Sequence, residues 1–422
     1  MSDCPVAWLP PLLRGAIPVA LLGLLVTLLL MLFGGSDPAG SIREGVPRGS
    51  DFLSFWGGST MLIEDRGDQL YDHPELWKRE LAATPSRIRF HNLYPPPVYQ
   101  AMEPLARLPY PTGARLHLVL MLALLLGATR GLMAVSPPLP GDRRLWLGAL
   151  AVLPVVFMNT TTGQLAGVWL LLLVGGVALM RSGRPGWGGA VLGLLCMKPS
   201  IGAAVAGALL LTGQVSALLG FGLAGASLLG ASIALDGTAP WLAWFEMMTG
   251  DNPRSFFSVP HRQLTLRGLL AGPFRDTDLA PPLSLLAMAL GAGMALLSAP
   301  AAWGVERSDP RWTLRFGLVL SALLLALPHL VEYDQGLHAL GVLGSVPLLA
   351  SAQRPRLGLA LLAFVFLSPV LHEVGRALHV ALAALALLGW WWWAWSEDRG
   401  QPAFVAPVLS NGALEAGSPA GS

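Results

Sequence analysis

Residues 215–235 read VSALLGFGLAGASLLGASIAL, twenty-one positions without a single charged side chain. A helix rises about 1.5 Å per residue, so one of this length reaches across the roughly 30 Å hydrocarbon core of a bilayer. Comparable runs occupy 12–33, 112–133, 145–158, 165–180, 187–197, 200–212, 281–301, 313–328, 335–351, 357–371 and 376–395. With the quoted run they make about twelve spans, the shorter ones fitting a helix buried among neighbours. The composition agrees: 54% of the 422 residues are hydrophobic and 12% are charged, about half the charged share of a soluble domain. A soluble protein is excluded, and the chain reads as an all-α polytopic membrane protein. The first run is too long for a signal-peptide h-region and lacks a small-residue cleavage site, so it is expected to be retained. A net charge of +2 with no clustered basic motif leaves no footprint for nucleic acid. Cys4 and Cys196 are the two cysteines, too few for a disulfide framework. Lys78 and Lys198 are the only lysines among 27 cations, a bias of GC-rich bacterial genomes that points to a bacterial inner membrane.

Cations in short loops set the orientation. With a cytoplasmic N-terminus, the inner loops hold Arg130, Arg143, Arg144, Arg181, Arg184, Arg307, Arg311, Arg315, Arg354 and Arg356, whereas the short outer loops hold only Arg376. Trp8, Trp390 to Trp393 and Trp395 would then form an inner aromatic belt. A single membrane domain over 1–395 is followed by a tail over 396–422, read as cytoplasmic and disordered. Two long segments, 34–111 and 236–280, face outward and carry helical patterns. Phe52, Phe55, Trp56, Leu62 and Ile63 recur at helical spacing, with Ser50 or Asp51 as N-cap and Gly67 as a stop, which predicts a helix on the membrane surface. A second helix is expected from Pro74, an extended run at Tyr94-Pro95-Pro96-Pro97, and another surface helix bearing Trp241, Trp244, Phe245 and Met248. Long structured loops are usually functional.

Ionisable groups kept by so apolar a chain are informative. Asp51, Gln164, Lys198, the run His261-Arg262-Gln263, and His329 with Glu332, Tyr333 and Asp334 come from five segments and point to one side at one depth. A shared outer cavity would explain this. Each has a plainer reading: Asp51 as a helix cap, Lys198 snorkelling to the interface, Gln164 bonded to a neighbouring helix, His329 and Asp334 as solvated loop residues. The sequence contains no H-x-x-x-H, C-x-x-C, G-x-x-x-x-G-K-[ST] or G-x-S-x-G, which leaves a zincin, a thiolate metal site, a P-loop ATPase and a serine hydrolase without support. No inverted repeat is visible, which weakens the rival reading as a lipid or glycan transporter or flippase.

Asp51-Phe52-Leu53-Ser54-Phe55-Trp56, then Asp68-Gln69-Leu70-Tyr71-Asp72, then Tyr94-Pro95-Pro96-Pro97 running into Glu103-Pro104-Leu105, resembles the first outer loop of glycosyltransferase family 87. The similarity continues through Gly163-Gln164, Met197-Lys198-Pro199 and Pro328-His329 with Tyr333-Asp334, and spans residues 14 to about 350; nothing after 350 matches a motif. The resemblance implies a bundle of the GT-C class that moves a hexose, mannose in this family, from a polyprenyl-phosphate donor to a lipid or glycan acceptor at the outer face. It implies Asp51 as the catalytic base, joined by His329. Lys198, Arg262 and His261 would hold the donor phosphate, and Tyr94, Gln164, Tyr333 and Asp334 would line the substrate. A nucleotide is not bound in such a reaction, so neither a cofactor nor a nucleotide-chelating metal is expected.

Overall fold

A computed structural model describes residues 49–84, 90–136, 162–250, 262–367 and 381–400, together with the isolated residues 22, 23, 25, 26, 156, 159, 371, 374 and 375. The expected spans 12–33 and 145–158 lie almost wholly outside these, as do His261 and Arg376. The described residues are helical and contain no strand, only one isolated antiparallel bridge between Gln263 and Val331. In chain order the helices are α1 (Ser50–Ile63), α2 (His73–Ala83), α3 (Pro96–Ala106), α4 (Tyr110–Val135), α5 (Ala166–Arg181), α6 (Pro185–Gly193), α7 (Pro199–Leu211), α8 (Val215–Asp236), α9 (Ala239–Thr249), α10 (Leu266–Leu270), α11 (Ala280–Ala302), α12 (Pro310–Ala326), α13 (Ala339–Ser345), α14 (Pro355–Phe366) and α15 (Leu382–Gly400). Three of them, α4, α8 and α11, are long and apolar enough to cross a membrane; α5, α7, α14 and the stretch Pro185–Met197 are apolar but shorter.

Helix α12 is the hub of the bundle. Trp312, Phe316, Val319, Ala322, Leu324 and Leu325 cover its whole circumference and are all fully buried, and it packs on α7, α11, α13 and α15. By contrast α8, the helix of the quoted stretch, exposes Leu219, Leu223 and Leu235 at about 70% each, as a lipid-facing helix does. Its opposite stripe is made of small residues. A Cβ on Gly189 of α6 would fall 1.8 Å from the Ala217 carbonyl oxygen, and one on Gly220 would fall 2.0 Å from that of Gly186, so the α6 and α8 backbones touch directly.

Several local expectations change. The helix α1 does not lie on a membrane surface: Phe52, Leu53, Phe55, Met61 and Leu62 are buried on several faces, and α1 packs against α2, α3 and α4. Its apolar positions are too many for one stripe, which marks a buried helix. The Tyr94–Pro97 run is not extended throughout, because α3 begins at Pro96 with Pro95 as N-cap; prolines suit a first turn, whose N–H groups have no intrahelical partner. The second helix starts as the Pro74 signal suggests, with the Asp72 carboxylate accepting from the Glu75 N–H at 3.2 Å. The expected span 335–351 is a broken element, a 3-10 turn over Glu332–His338, the short α13 and a second 3-10 turn over Val346–Ala350. Pro347 removes a helical donor there, and Gly341 lies against the backbone of Gly317.

The last helix continues through Gly400, past the expected start of a disordered tail. Glu397 and Asp398 are buried: Glu397 accepts from the Gln353 and Arg354 N–H groups at 2.8 and 3.1 Å, and Asp398 pairs with Arg315 at 2.9 Å. The tryptophans of this helix are not a lipid-facing belt either. Trp390, Trp391 and Trp393 are buried, and their indole N–H groups donate to Ser345 Oγ, Leu318 O and Arg354 O at 3.0, 3.1 and 3.2 Å, whereas Trp392 remains exposed. An indole can enter a core when its donor finds a partner.

Candidate active site

The polar residues from five segments meet at the starts of α1, α5 and α7, ahead of α10 and beyond the end of α12. Asp51 occupies the first turn of α1, whose N-cap is Gly49 in the left-handed conformation (φ 61°), with no side-chain cap. Asp51 is therefore not the cap of its helix. Its carboxylate accepts a hydrogen bond from the Gln164 side-chain amide. The burial of its surroundings pushes its pKa up to about 6, opposed by the Gln164 hydrogen bond and by Arg262 and reinforced by Glu332. A carboxyl poised near neutrality is a stronger base than a surface aspartate yet is still ionised at pH 7.

Gln164 follows Gly163, another left-handed glycine (φ 73°). Its side-chain oxygen lies 3.4 Å from the Tyr94 hydroxyl. Tyr94 is fixed at its backbone, where its carbonyl accepts from the Tyr71 hydroxyl at 2.7 Å and its N–H donates to the Tyr99 hydroxyl at 3.3 Å. Its ring stacks on Trp169 and meets the edge of Phe55, with centroids at 6.2 and 5.4 Å.

Lys198 sits at the break between the 3-10 turn Leu194–Met197 and α7, where Pro199 opens a new helix. Its ammonium does not snorkel into water. It donates to both carboxylate oxygens of Asp334, at 2.7 and 2.6 Å, with side-chain exposures of 10% and 0%, and lies 5.7 and 5.3 Å from the ring centroids of Tyr94 and Tyr333. Nearby Arg262 pairs with Glu332, its Nε at 2.7 Å from Oε1; Arg262 is 40% exposed and Glu332 is buried. Both counterions thus belong to one short turn, Glu332 and Asp334 flanking Tyr333. The Asn159 amide donates to the Tyr333 carbonyl at 3.1 Å and its oxygen accepts from the Ala166 N–H at 3.2 Å, tying this turn to α5.

The segment carrying Arg262 is stitched to the one carrying His329. Leu264 N–H donates to Leu330 O at 2.7 Å, Leu330 N–H donates to the Gln263 side-chain oxygen at 3.2 Å, and the Gln263 amide donates to His329 Nδ1 at 2.8 Å. Burial, with Lys198, Arg267 and Arg262 nearby, pushes the His329 pKa down to about 3. His329 is therefore a neutral ring with its proton on Nε2, a hydrogen-bond donor and not a cation. Three carboxylates, Asp51, Glu332 and Asp334, then face two cations, Lys198 and Arg262.

Asp51, Tyr94, Gln164, Lys198, Arg262, His329, Tyr333 and Asp334 are all brought together, and His261 lies outside the described residues. Among the described residues no group of three His, Cys, Asp or Glu side chains is arranged to hold a metal ion. One residue at this end escaped sequence reasoning. His117, near the start of α4, is buried, stacks on Phe52 and hydrogen-bonds to Gly163 O. The signal was present: a titratable residue inside a largely apolar span.

Compared with known proteins, the model of glycosyltransferase family 87 matches residues 92–328, more than half of the chain. The matched stretch takes in Tyr94, Gln164, Lys198 and Arg262, stops one residue before His329, and begins after Asp51, so it is shorter at both ends than the resemblance over 14–350. No curated protein and no solved structure matches the chain.

Proposed function

Because the chain belongs to glycosyltransferase family 87, we propose that it transfers a hexose, mannose in our reading, from a polyprenyl-phosphate donor to a hydroxyl of a lipid or glycan acceptor. The family does not favour the transporter alternative. The reading includes a GT-C-type bundle of about twelve spans in a bacterial cytoplasmic membrane, with Asp51 on the periplasmic side. In support, the cations Arg181, Arg307 and Arg315 gather at the opposite end of the helices, bonded to Thr313, Gln214 and Asp398 at 2.7, 2.7 and 2.9 Å.

The observation that carries the proposal is the placement of Asp51: uncapped, partly exposed, raised in pKa by burial, and facing Arg262. In the reaction the acceptor oxygen attacks the anomeric carbon as its proton passes to the Asp51 carboxylate. The bond from that carbon to the phosphate oxygen breaks with inversion, and its electron pair leaves with the polyprenyl phosphate. Charge grows on the phosphate, and cations in a poorly hydrated site stabilise it most. Arg262 is the accessible cation and meets the phosphate first, Lys198 stands behind it in the grip of Asp334, and His329 supplies an N–H donor. Tyr94 and Tyr333 flank the sugar.

The purified protein in detergent, given radiolabelled mannosyl-phosphoryl-polyprenol and total lipid and glycan extract as acceptor, should form a labelled product and free polyprenyl phosphate. Transfer from GDP-mannose alone, or from no lipid-linked hexose, overturns the proposal.

A further inference from the structure

His117 touches the chain neighbours of both members of the Asp51–Gln164 pair. Its ring stacks on Phe52, the residue after Asp51, with centroids 4.4 Å apart and planes inclined by 22°. Its Nε2 lies 2.9 Å from the carbonyl oxygen of Gly163, the residue before Gln164. A carbonyl only accepts, so Nε2 carries the hydrogen. The two backbones also meet directly, since a Cβ on Gly163 would fall 2.9 Å from Gly49 Cα. The orientation of the Gln164 amide is fixed by chemistry: an ionised carboxylate can only accept, so the NH₂ group turns to Asp51 and the oxygen to the Tyr94 hydroxyl. The other groups acting on Asp51 are the Ser50 hydroxyl, Arg262, Glu332, Tyr94, Tyr110 and Tyr333.

We propose that Gln164 and His117 are positioning residues for Asp51. Gln164 holds and aims the carboxylate through its amide N–H, and His117 keeps the two chain segments in register by clasping Phe52 and Gly163 at once. Gln164 thus serves the base rather than contacting the sugar. The inference rests on Asp51 as the proton acceptor only for its kinetic arm; the arrangement itself is read without substrate. Donation to a carboxylate favours the ionised form, so its loss moves ionisation of Asp51 to higher pH, by about one pH unit for one charge-assisted hydrogen bond.

The test is an infrared pH titration of the purified full chain, with the Asp51 carboxyl band identified by its disappearance in Asp51→Asn. Gln164→Met keeps length and removes the donor. His117→Phe keeps the stack without the N–H, whereas His117→Gln places an amide nitrogen where Nε2 was. The Asp51 titration should move up by about one pH unit in Gln164→Met, less in His117→Phe, and return towards wild type in His117→Gln. Should Gln164→Met fail to fold, Gln164→Glu replaces the donor with a like charge and should move the titration up further. Coincident Asp51 titrations in the wild type and the Gln164 variant, or no difference between the two His117 variants, overturn the proposal. In turnover of mannosyl-phosphoryl-polyprenol the acid limb of kcat/KM should move in parallel. A wild type inactive on that donor refutes the substrate reading alone, because the titration still judges the positioning.

Discussion

Removing the Lys198 ammonium tests the interior of the site and its chemistry separately. Nζ lies 2.6 and 2.7 Å from the Asp334 oxygens, and the Asp334 side chain has no exposed surface. Lys198→Met leaves that carboxylate buried without its counterion, and breaking a buried pair in this way costs about 3–5 kcal/mol. That is a large part of a total stability of about 5–15 kcal/mol. The double variant Lys198→Met/Asp334→Leu removes both charges and fills the space with apolar groups, a replacement that is often neutral or stabilising. A denaturant titration in micelles, followed by tryptophan fluorescence, should show the single variant destabilised by about 3–5 kcal/mol and the double variant within about 1 kcal/mol of wild type, a strongly non-additive cycle. A Lys198→Met protein as stable as wild type refutes the buried pair. Transfer activity then decides the role: the double variant should be folded yet slow. If it turns over at the wild-type rate, Lys198 serves packing alone and the donor phosphate belongs to Arg262.

Asp51→Asn should lower turnover by about 10²–10⁴-fold while leaving insertion unchanged, since Asp51 caps nothing; near-normal rates would remove it as the base. With its pKa at about 6, kcat/KM should fall as pH drops below about 6 and level off above about 7, measured with saturating acceptor. Glu80 offers a stability test away from the chemistry. It is fully buried in α2, accepts from the Phe90 N–H at 3.4 Å, and burial pushes its pKa up to about 8. The folded state therefore prefers it protonated, so stability should decline between about pH 4.5 and 8 by up to about 1.4 kcal/mol per pH unit. Glu80→Gln should flatten that slope and be the more stable protein at pH 8; an unchanged slope in thermal melts removes Glu80 as its source. In a background without Cys4 and Cys196, a cysteine at the exposed Asp68 should react with an impermeant label from outside intact cells and one at Ser182 should not; the reverse pattern inverts the topology.

Much of the bundle was legible because membrane spans announce themselves by length and lack of charge: 215–235 became α8 and 281–301 became α11 within a residue or two. What failed were distinctions between kinds of burial. The apolar residues of α1 fit both a surface helix and a buried one, and only the packing of α2, α3 and α4 around it decides. The tryptophans of α15 read as interfacial, yet their N–H groups found acceptors at Ser345, Leu318 and Arg354, far away in sequence. At the site, residue types and sidedness could be read in advance, but the pairing could not. Nothing in the order of residues says that Asp334 takes Lys198 while Glu332 takes Arg262, or that Gln164 turns its amide to Asp51. Such choices depend on three-dimensional approach, which at Asp51 and Gln164 brings the left-handed Gly49 and Gly163 together, and local sequence carries no record of it.

The clasp at the end of α15 bears on how this protein is made. Helix α12, the hub, buries Leu318 beneath Trp391, and Gly341 and Gly358 lie against Trp390 and Trp393. These seats stay vacant while the chain is being synthesised, since α15 is the last of the described helices to leave the ribosome. Until it docks, and Asp398 reaches Arg315, an apolar cleft and an arginine without its carboxylate face the inserting machinery. A nascent chain cut short before residue 382 would carry Asp51, Lys198 and Arg262 complete and still present the marks by which quality-control proteases select their targets.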